Sequence, residues 1–148
     1  MKKYTLIIII LVLVVGALAF VGGFGRKSKE LKTMLESSVA NMQLVTAQEV
    51  NRAYSDKRTT LGIPIYAGVG IRYEPVENYT KEDVYKEIVK NIENNNWVRE
   101  DSGGQGDYYR AYLPYESFRE GGSRVITVGV FNHSERSTVD ITMGHGIR

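Results

Sequence analysis

The chain has 148 residues, enough for one hydrophobic core, with 19 basic and 17 acidic side chains and no cysteine. Of the basic residues, only Lys2 and Lys3 lie before residue 26, and every acidic residue lies after residue 25. Residues 26–148 therefore carry 19 − 2 = 17 basic and 17 acidic side chains. This neutral balance argues against a nucleic-acid partner, because phosphate binding needs a basic surface. A sequence without cysteine excludes disulfides, thiolate metal sites and thiol nucleophiles.

An uncharged, mostly apolar run follows the two lysines, from Tyr4 to Gly25. A membrane-spanning helix needs about 20 apolar residues, and the stretch from Leu6 to Phe24 approaches that length. The run also fits a cleaved signal, because the small residues from Ala17 to Ala19 form an A-x-A pattern. The sequence therefore predicts a membrane anchor or a signal sequence in residues 1–25, with residues 4–24 in contact with the membrane.

The orientation at the membrane follows from the residues on both sides of this run. Lys2 and Lys3 precede the run, and four basic residues lie between residues 26 and 32, so charge alone does not set the orientation. A short basic head followed at once by strong hydrophobicity is typical of exported proteins. We predict a single-pass cell-membrane protein with its C-terminal domain outside the cytoplasm. Cleavage near Ala19 gives the alternative, a secreted protein.

Residues 26–62 are predicted to form an amphipathic helix and a linker. From Ser28 to about Ala53, apolar residues recur mostly at three- and four-residue steps, as on one face of a helix. Ser28 is a candidate N-cap. The polar segment from Tyr54 to Gly62 predicts a loop. The helix either packs on the domain that follows or continues from the membrane run as a stalk.

The first predicted strand extends from Ile63 to Tyr73. Its odd-numbered residues from Ile65 onward are mostly large and apolar, and the even-numbered positions include Gly68 and Gly70. These glycines leave one face of the strand bare, which is typical of a bulge or of a place where another molecule lies close to the backbone. Pro75 is predicted to end the strand.

The clearest helix is predicted to begin at Thr80. Thr80 and Asp83 have the spacing of a capping box, and Val84, Ile88 and Ile92 form an apolar stripe. The asparagines at positions 94–96 can supply a left-handed residue that ends the helix. Trp97 is predicted to enter the hydrophobic core.

Three further strands are predicted at Tyr108–Leu113, Arg124–Phe131 and Thr138–Met143, each with apolar residues at period two. Pro114 is expected to place the end of the first of them at a sheet edge or a break. Residues 63–148 therefore predict a small α+β domain with the order β-α-β-β-β, in which one helix packs on an antiparallel sheet. This order resembles that of small exported domains of bacterial envelopes.

The sequence offers weak evidence for catalysis. His133 and His145 are the only histidines, and their spacing is a poor metal signature. Asp140 lies between them, but a catalytic triad is defined by geometry rather than by proximity in sequence. We predict no catalytic residue, no metal site and no cofactor. The alternative is a small-molecule-binding or hydrolytic domain that uses the loops around His133 and His145.

Tyrosine is the one enriched residue type that bears on function, with ten in the chain. Tyrosine is common at binding surfaces because it offers a large apolar area and a hydroxyl group. Tyr66 and Arg72 share the glycine-flanked face of the first strand, and Tyr108 and Tyr112 share a face of the second. We predict that these residues bind a partner if the two faces coincide. The sequence thus favours a membrane-tethered, non-catalytic interaction or accessory domain whose partner is another envelope protein.

Overall fold

A computed structural model of the chain describes residues 7–16, 27–58, 64–100, 108–115 and 124–147. Within these ranges the fold is α+β, with three helices and a sheet of six antiparallel strands. The helices are α1 (residues 7–16), α2 (Lys29–Glu36) and α3 (Lys81–Asn94). The strands are β1 (Ala47–Arg58), β2 (Pro64–Pro75), β3 (Val98–Arg99), β4 (Tyr108–Tyr115), β5 (Arg124–Phe131) and β6 (Val139–Ile147).

The strands lie in the spatial order β1-β2-β6-β5-β4-β3, and every neighbouring pair is antiparallel. Alternate residues of β2, β6, β5 and β4 form one buried face, which we call the core face. Helices α2 and α3 both pack on this face through one hydrophobic core, whose largest members include Leu31, Met34, Ile88, Ile126 and Ile141. The opposite face of the sheet, which we call the outer face, contacts neither α2 nor α3 through this core.

Helix α2 is much shorter than the sequence predicts. Ser28 is its N-cap, as expected, and its side chain accepts a hydrogen bond from the Leu31 N–H. The helix ends at Glu36, because Ser37 adopts an extended backbone and its hydroxyl donates to the Met34 carbonyl oxygen at 2.6 Å. The predicted helix up to Ala53 is therefore wrong beyond Glu36. Of the two alternatives for this helix, α2 packs on the domain that follows, on the same face of the sheet as α3.

Strand β1 replaces both the end of that predicted helix and the start of the predicted loop at Tyr54–Gly62. Its apolar residues do not form one buried stripe: Ala47 is buried, whereas Val50 is 45% exposed. β1 pairs with β2 from Ala47 to Arg58, with register shifts between Glu49 and Asn51 and between Lys57 and Arg58. Its backbone is fixed by pairing with β2, the next strand along the chain, so the spacing of its own side chains is a poor guide to its structure.

The predictions for β2 and α3 are confirmed. β2 ends at Pro75, and its buried positions include Ala67, Val69, Ile71 and Tyr73. In α3, the Thr80 side chain accepts from the Asp83 N–H while Asp83 accepts from the Thr80 N–H, which completes a capping box. The stripe Val84, Ile88 and Ile92 is fully buried. Asn96 has φ of 62°, and Trp97 is buried.

Strand β5 has the predicted bounds, the other two predicted C-terminal strands are longer than predicted, and the order β-α-β-β-β is wrong. β4 continues to Tyr115 and β6 to Ile147, and the short strand β3 pairs with β4 at Tyr112 and Ala111. Pro114 pairs with Val125 on one side and lies beyond the end of β3 on the other, consistent with the predicted edge. With β1 included, the described order is α1-α2-β1-β2-α3-β3-β4-β5-β6.

The described part of the N-terminal run is helix α1. The side chains of Ile7 to Val15 are 50–66% exposed, so the helix buries none of them in the core. Among the residues that the structure describes, no helix has both the length and the apolarity needed to cross a membrane. The rest of the predicted anchor, together with the cleavage pattern near Ala19, lies outside the described residues.

Candidate functional site

The outer face of the sheet has two adjacent rows of small residues that cross four strands from β1 to β5. One row pairs Ser55 with Gly68, then Gly144 and Thr127 across successive strands. The next row pairs Ala53 with Gly70, then Thr142 and Gly129. We call these eight positions the trough. Because none of these side chains is large, the backbone of the sheet is less deeply covered here than on the core face.

Aromatic rings flank the trough from both sides along the strands. The ring of Tyr66 lies over Gly68, since a Cβ atom at Gly68 would be 2.9 Å from Tyr66 Cζ. Tyr108 and Phe131 pack with ring centroids 4.8 Å apart, and both would contact a Cβ atom at Gly129. Glycine at these two positions therefore lets the rings lie against the sheet. Tyr66 remains 48% exposed.

Gly70 and Gly144 are different, because the space above them is open. A Cβ atom at Gly70 would meet nothing within 4 Å, and one at Gly144 would meet only Thr127 Oγ1 at 4.0 Å. The open space above these glycines forms part of two open grooves, with volumes of about 200 and 220 Å³. The first lies between Tyr66 and Tyr108, and the second lies over Gly70; Thr142 borders both.

A charged cluster borders the second groove. Arg72 donates to both carboxylate oxygens of Asp140, with Nε at 2.7 Å from Oδ1 and Nη2 at 3.1 Å from Oδ2. Arg136 donates to Asp140 Oδ2 at 3.2 Å. The hydrogen bonds from Arg72 hold the pKa of Asp140 below its ordinary value, against the opposing effect of partial burial, and the charges of Arg72, Arg136 and His133 add to this. Asp140 is thus an ionised, paired carboxylate.

A second ion pair lies on β4, at the end of the second row of the trough. Arg110 Nε lies 2.8 Å from Glu100 Oε2, and Arg110 also lines the first groove. Tyr112 pairs with Thr127 across β4 and β5, so it lies at the end of the first row of the trough. The lining therefore combines aromatic rings, hydroxyl groups and a paired guanidinium, a composition typical of surfaces that bind other molecules.

The four residues that the sequence suggests for binding all lie on the outer face of the sheet, on two strands that are not neighbours. Tyr66 and Arg72 are on β2, and Tyr108 and Tyr112 are on β4, with β6 and β5 between them. Three strand spacings of about 4.8 Å separate β2 from β4 by roughly 14 Å. The predicted coincidence of the two faces is therefore present. Binding by these residues stays a prediction.

The two histidines are not brought together. His133 lies past the end of β5 and stacks on Phe131, with ring centroids 5.7 Å apart. His145 lies on the core-face side of β6, opposite Ile126, and its Nδ1 accepts from the Ala67 N–H at 3.3 Å. The five residue steps along β6 from Asp140 to His145 correspond to roughly 17 Å. The triad that could be drawn from His133 and Asp140 is not assembled, because Arg72 and Arg136 occupy the carboxylate.

Some residues of this surface were not identified from the sequence. Phe131 and Arg110 belong to the outer face, and Asn51 and Ala53 extend it onto β1. Alternation along β4 and β5 could have indicated Arg110 and Phe131, because each lies between two buried positions. Nothing local indicated Asn51 and Ala53, since β1 itself was not predicted.

Comparison of the chain with protein-family models, with curated proteins and with solved structures finds no match in any of the three. The described residues also contain no group of three or more histidine, aspartate or glutamate side chains that could hold a metal ion. The candidate site therefore rests on its own geometry.

Proposed function

We propose that the protein is tethered to the cell membrane by its N-terminal run and that its domain lies outside the cytoplasm, where it binds another envelope protein through the outer face. The observation that carries the binding part is the trough, with Tyr66 at one end and Tyr108 at the other. Amphipathic aromatic rings beside open, glycine-lined backbone favour a protein partner, because tyrosine contributes large contact area at a small conformational-entropy cost.

The proposed tether is supported by the character of α1 and its surroundings in sequence. A helix that is apolar on all sides is typical of a membrane or of a deep core. The side chains of Ile7 to Val15 are exposed, and the uncharged sequence continues to Gly25. Cleavage near Ala19, which would release the domain as a secreted protein, is the alternative that the test below distinguishes.

A non-catalytic role is supported by how the polar groups of the surface are engaged. The Asp140 carboxylate accepts from two arginines, and Arg110 is paired with Glu100. A general base needs a carboxylate or imidazole that can reach a substrate proton. The alternative of a hydrolytic domain requires His133 and His145 in one pocket, but His133 stacks on Phe131 past the end of β5, whereas His145 lies on the core-face side of β6 opposite Ile126.

The binding proposal is tested by capture of partners from membranes with the full chain. Tyr66→Ala removes an exposed ring from the trough and is expected to weaken partner binding by at least about tenfold, the loss typical of an interface hot spot. Tyr79→Ala is the matched control, because Tyr79 is similarly exposed, at 42%, and does not border either groove. Equal capture by wild type and Tyr66→Ala, or equal loss in both variants, would contradict the proposal.

Gly68→Ala offers a second variant that acts on the same ring. The added methyl group requires the Tyr66 ring to move, and the end of an exposed side chain moves at little cost in stability. We therefore expect normal folding with reduced capture. For the tether, a C-terminal reporter active only outside the cytoplasm and the mass of the mature chain distinguish an exported anchor from an internal domain and from a cleaved product.

A further inference from the structure

Strand β1 forms one end of the sheet, and in the described chain β2 pairs with one of its edges and no strand with the other. An end strand of this length presents unpaired backbone N–H and C=O groups that can hydrogen-bond to another strand. The register with β2 is regular from Asn51 to Lys57 and is interrupted on both sides of that segment. The usable edge is therefore Asn51–Lys57, and its midpoint is Tyr54.

We propose that two copies of this chain pair antiparallel through their β1 edges, with Tyr54 of one copy opposite Tyr54 of the other. This register is the one in which the two regular segments overlap over their full length. It joins two six-stranded sheets into one continuous sheet. The pairing does not rest on the function proposed above, because it uses the strand edge and leaves the outer face free.

The side chains of the segment are complementary in this register. Arg52 of each copy lies opposite Asp56 of the other, which gives two opposite-charge pairs, one on each side of the central tyrosines. Cross-strand pairs of opposite charge stabilise antiparallel sheets, and aromatic pairs do the same. Across the other face, Asn51 lies opposite Lys57 and Ala53 opposite Ser55. A shift of two residues in either direction removes both Arg52–Asp56 pairs.

Arg52 and Asp56 differ in how readily they can take part in these pairs. Arg52 donates through Nε and Nη2 to Glu49 and through Nη2 to the Ala40 carbonyl oxygen, and these bonds leave Nη1 for a further carboxylate. The Asp56 carboxylate accepts from the Ser28 N–H at 2.7 Å through Oδ2, and its Oδ1 is buried within the single chain, so forming the pair requires the Asp56 side chain to turn toward the edge.

The central position is also accessible. Tyr54 is 60% exposed, and its described ring contact is with Lys27, whose Nζ lies 5.1 Å from the ring centroid. In the proposed pair the two-fold axis is perpendicular to the sheet, so both core faces are on the same side. Lys27 of each copy then lies on that same side, which is compatible with two chains attached to one membrane.

The absence of cysteine from the sequence makes the register directly testable by disulfide formation in the full chain. In Tyr54→Cys, the two substituted positions face each other with Cα atoms about 4.5–5.5 Å apart, within the range for a disulfide. In Ala53→Cys and in Ser55→Cys, the substituted residues of the two copies are two positions out of register. Their Cα atoms are therefore roughly 8 Å apart, which is too far for a disulfide.

We expect mild oxidation in membranes to give on the order of tenfold more covalent dimer from Tyr54→Cys than from either single neighbour. An equimolar mixture of Ala53→Cys and Ser55→Cys is expected to restore dimer, because these positions face each other. Circular dichroism shows whether each variant is folded, and sedimentation of the native chain in detergent is expected to give the mass of two copies.

Three results would overturn the proposal. The first is a folded Tyr54→Cys chain that stays monomeric while the native chain also sediments as a monomer. The second is equal cross-linking of the three single variants, which indicates random collision. The third is a disulfide of Tyr54→Cys only with a different protein, which assigns the edge to another partner.

Discussion

Replacing Glu87 with glutamine should destabilise the domain at neutral pH, because Glu87 connects α3 to the chain just before β1. One carboxylate oxygen accepts from the Val45 N–H at 3.0 Å. The other accepts from the Thr46 N–H at 3.0 Å and from the Thr46 hydroxyl at 2.5 Å. These three bonds fix the point at which the loop after α2 enters the sheet.

The magnitude follows from the number of acceptors lost. Glutamine keeps one acceptor oxygen and replaces the other with an NH₂ group, which cannot accept, so at least one of the three donors loses its partner. Because the Val45 bond is exposed and the Thr46 bonds are only partly buried, water replaces part of the lost acceptor, and the free energy of unfolding falls by about 0.5–1.5 kcal/mol. For a domain of this size that corresponds to a fall of roughly 2–6 °C in Tm.

The effect has a defined pH dependence. Burial raises the pKa of Glu87, but the hydrogen bonds from the Thr46 hydroxyl and from the N–H groups of Val45 and Thr46 outweigh it, so the pKa is below the ordinary value of 4.5. A carboxylate with a depressed folded-state pKa contributes stability above its unfolded-state pKa and loses it as pH falls through the folded-state pKa. The difference between wild type and Glu87→Gln should therefore shrink in acid.

Urea unfolding of the full chain at about pH 7 and about pH 3 measures both quantities, with Glu77→Gln as the matched control. Glu77 is exposed in the turn after β2, and its replacement should leave the free energy of unfolding unchanged. The reasoning would be refuted if Glu87→Gln were as stable as wild type at neutral pH. It would also be refuted if the loss were equally large in acid.

Three further predictions concern two glycines of the outer face, the N-cap of α2 and the Arg72–Asp140 ion pair. Gly70→Ala should raise the free energy of unfolding by about 0.5–1 kcal/mol in urea, since its Cβ enters open space, whereas Gly129→Ala should lower it, because its Cβ would lie 3.0 Å from a ring carbon. Ser28→Ala should cost about 1 kcal/mol by removing the cap of α2, again measured in urea. Arg72→Gln should raise the pKa of Asp140 toward its ordinary value in an NMR titration, and an unchanged value would contradict the assigned ion pair.

The elements that sequence reasoning identified correctly are those whose signals are local. Thr80 and Asp83 form the cap of α3 within four consecutive residues, and Val84, Ile88 and Ile92 lie one turn apart. Apolar residues at period two predict β2 and β5. Each of these patterns depends on the chain's own geometry, so it is visible without knowledge of the partner.

β1 was missed because its extended structure depends on pairing with β2 and not on a pattern in its own side chains. Residues such as Glu49, Asn51 and Asp56 are uncommon in strands, and neither face of β1 after Ala47 joins the core. The three- and four-residue spacing up to Ala53 came from residues with unrelated roles, such as Val39 in the core and Val45 in solvent. Only pairing with β2 selects the extended conformation.

The sequence predicts which side chains of the candidate site share a face of their strand, but not which strands lie next to each other. Alternation along β2 and β4 places Tyr66 with Arg72 and Tyr108 with Tyr112, which needs only the period of a strand. Which strands lie between them depends on the spatial order of the sheet. For this reason the pairing of Arg72 with Asp140, which occupies a carboxylate near His133, could not be anticipated.

The strand order also constrains how the chain reaches its folded state. β2 and β6 lie side by side within the sheet, and the Arg72–Asp140 pair across them joins residues 68 positions apart. The β1–β2 hairpin and the β4–β5 hairpin can each form early, but they become one sheet only after β6 has been synthesised and inserted between them. Such long-range closure slows folding and leaves strand edges exposed in the meantime. Chains that stop before Val139 should therefore be prone to aggregation and degradation rather than partly functional.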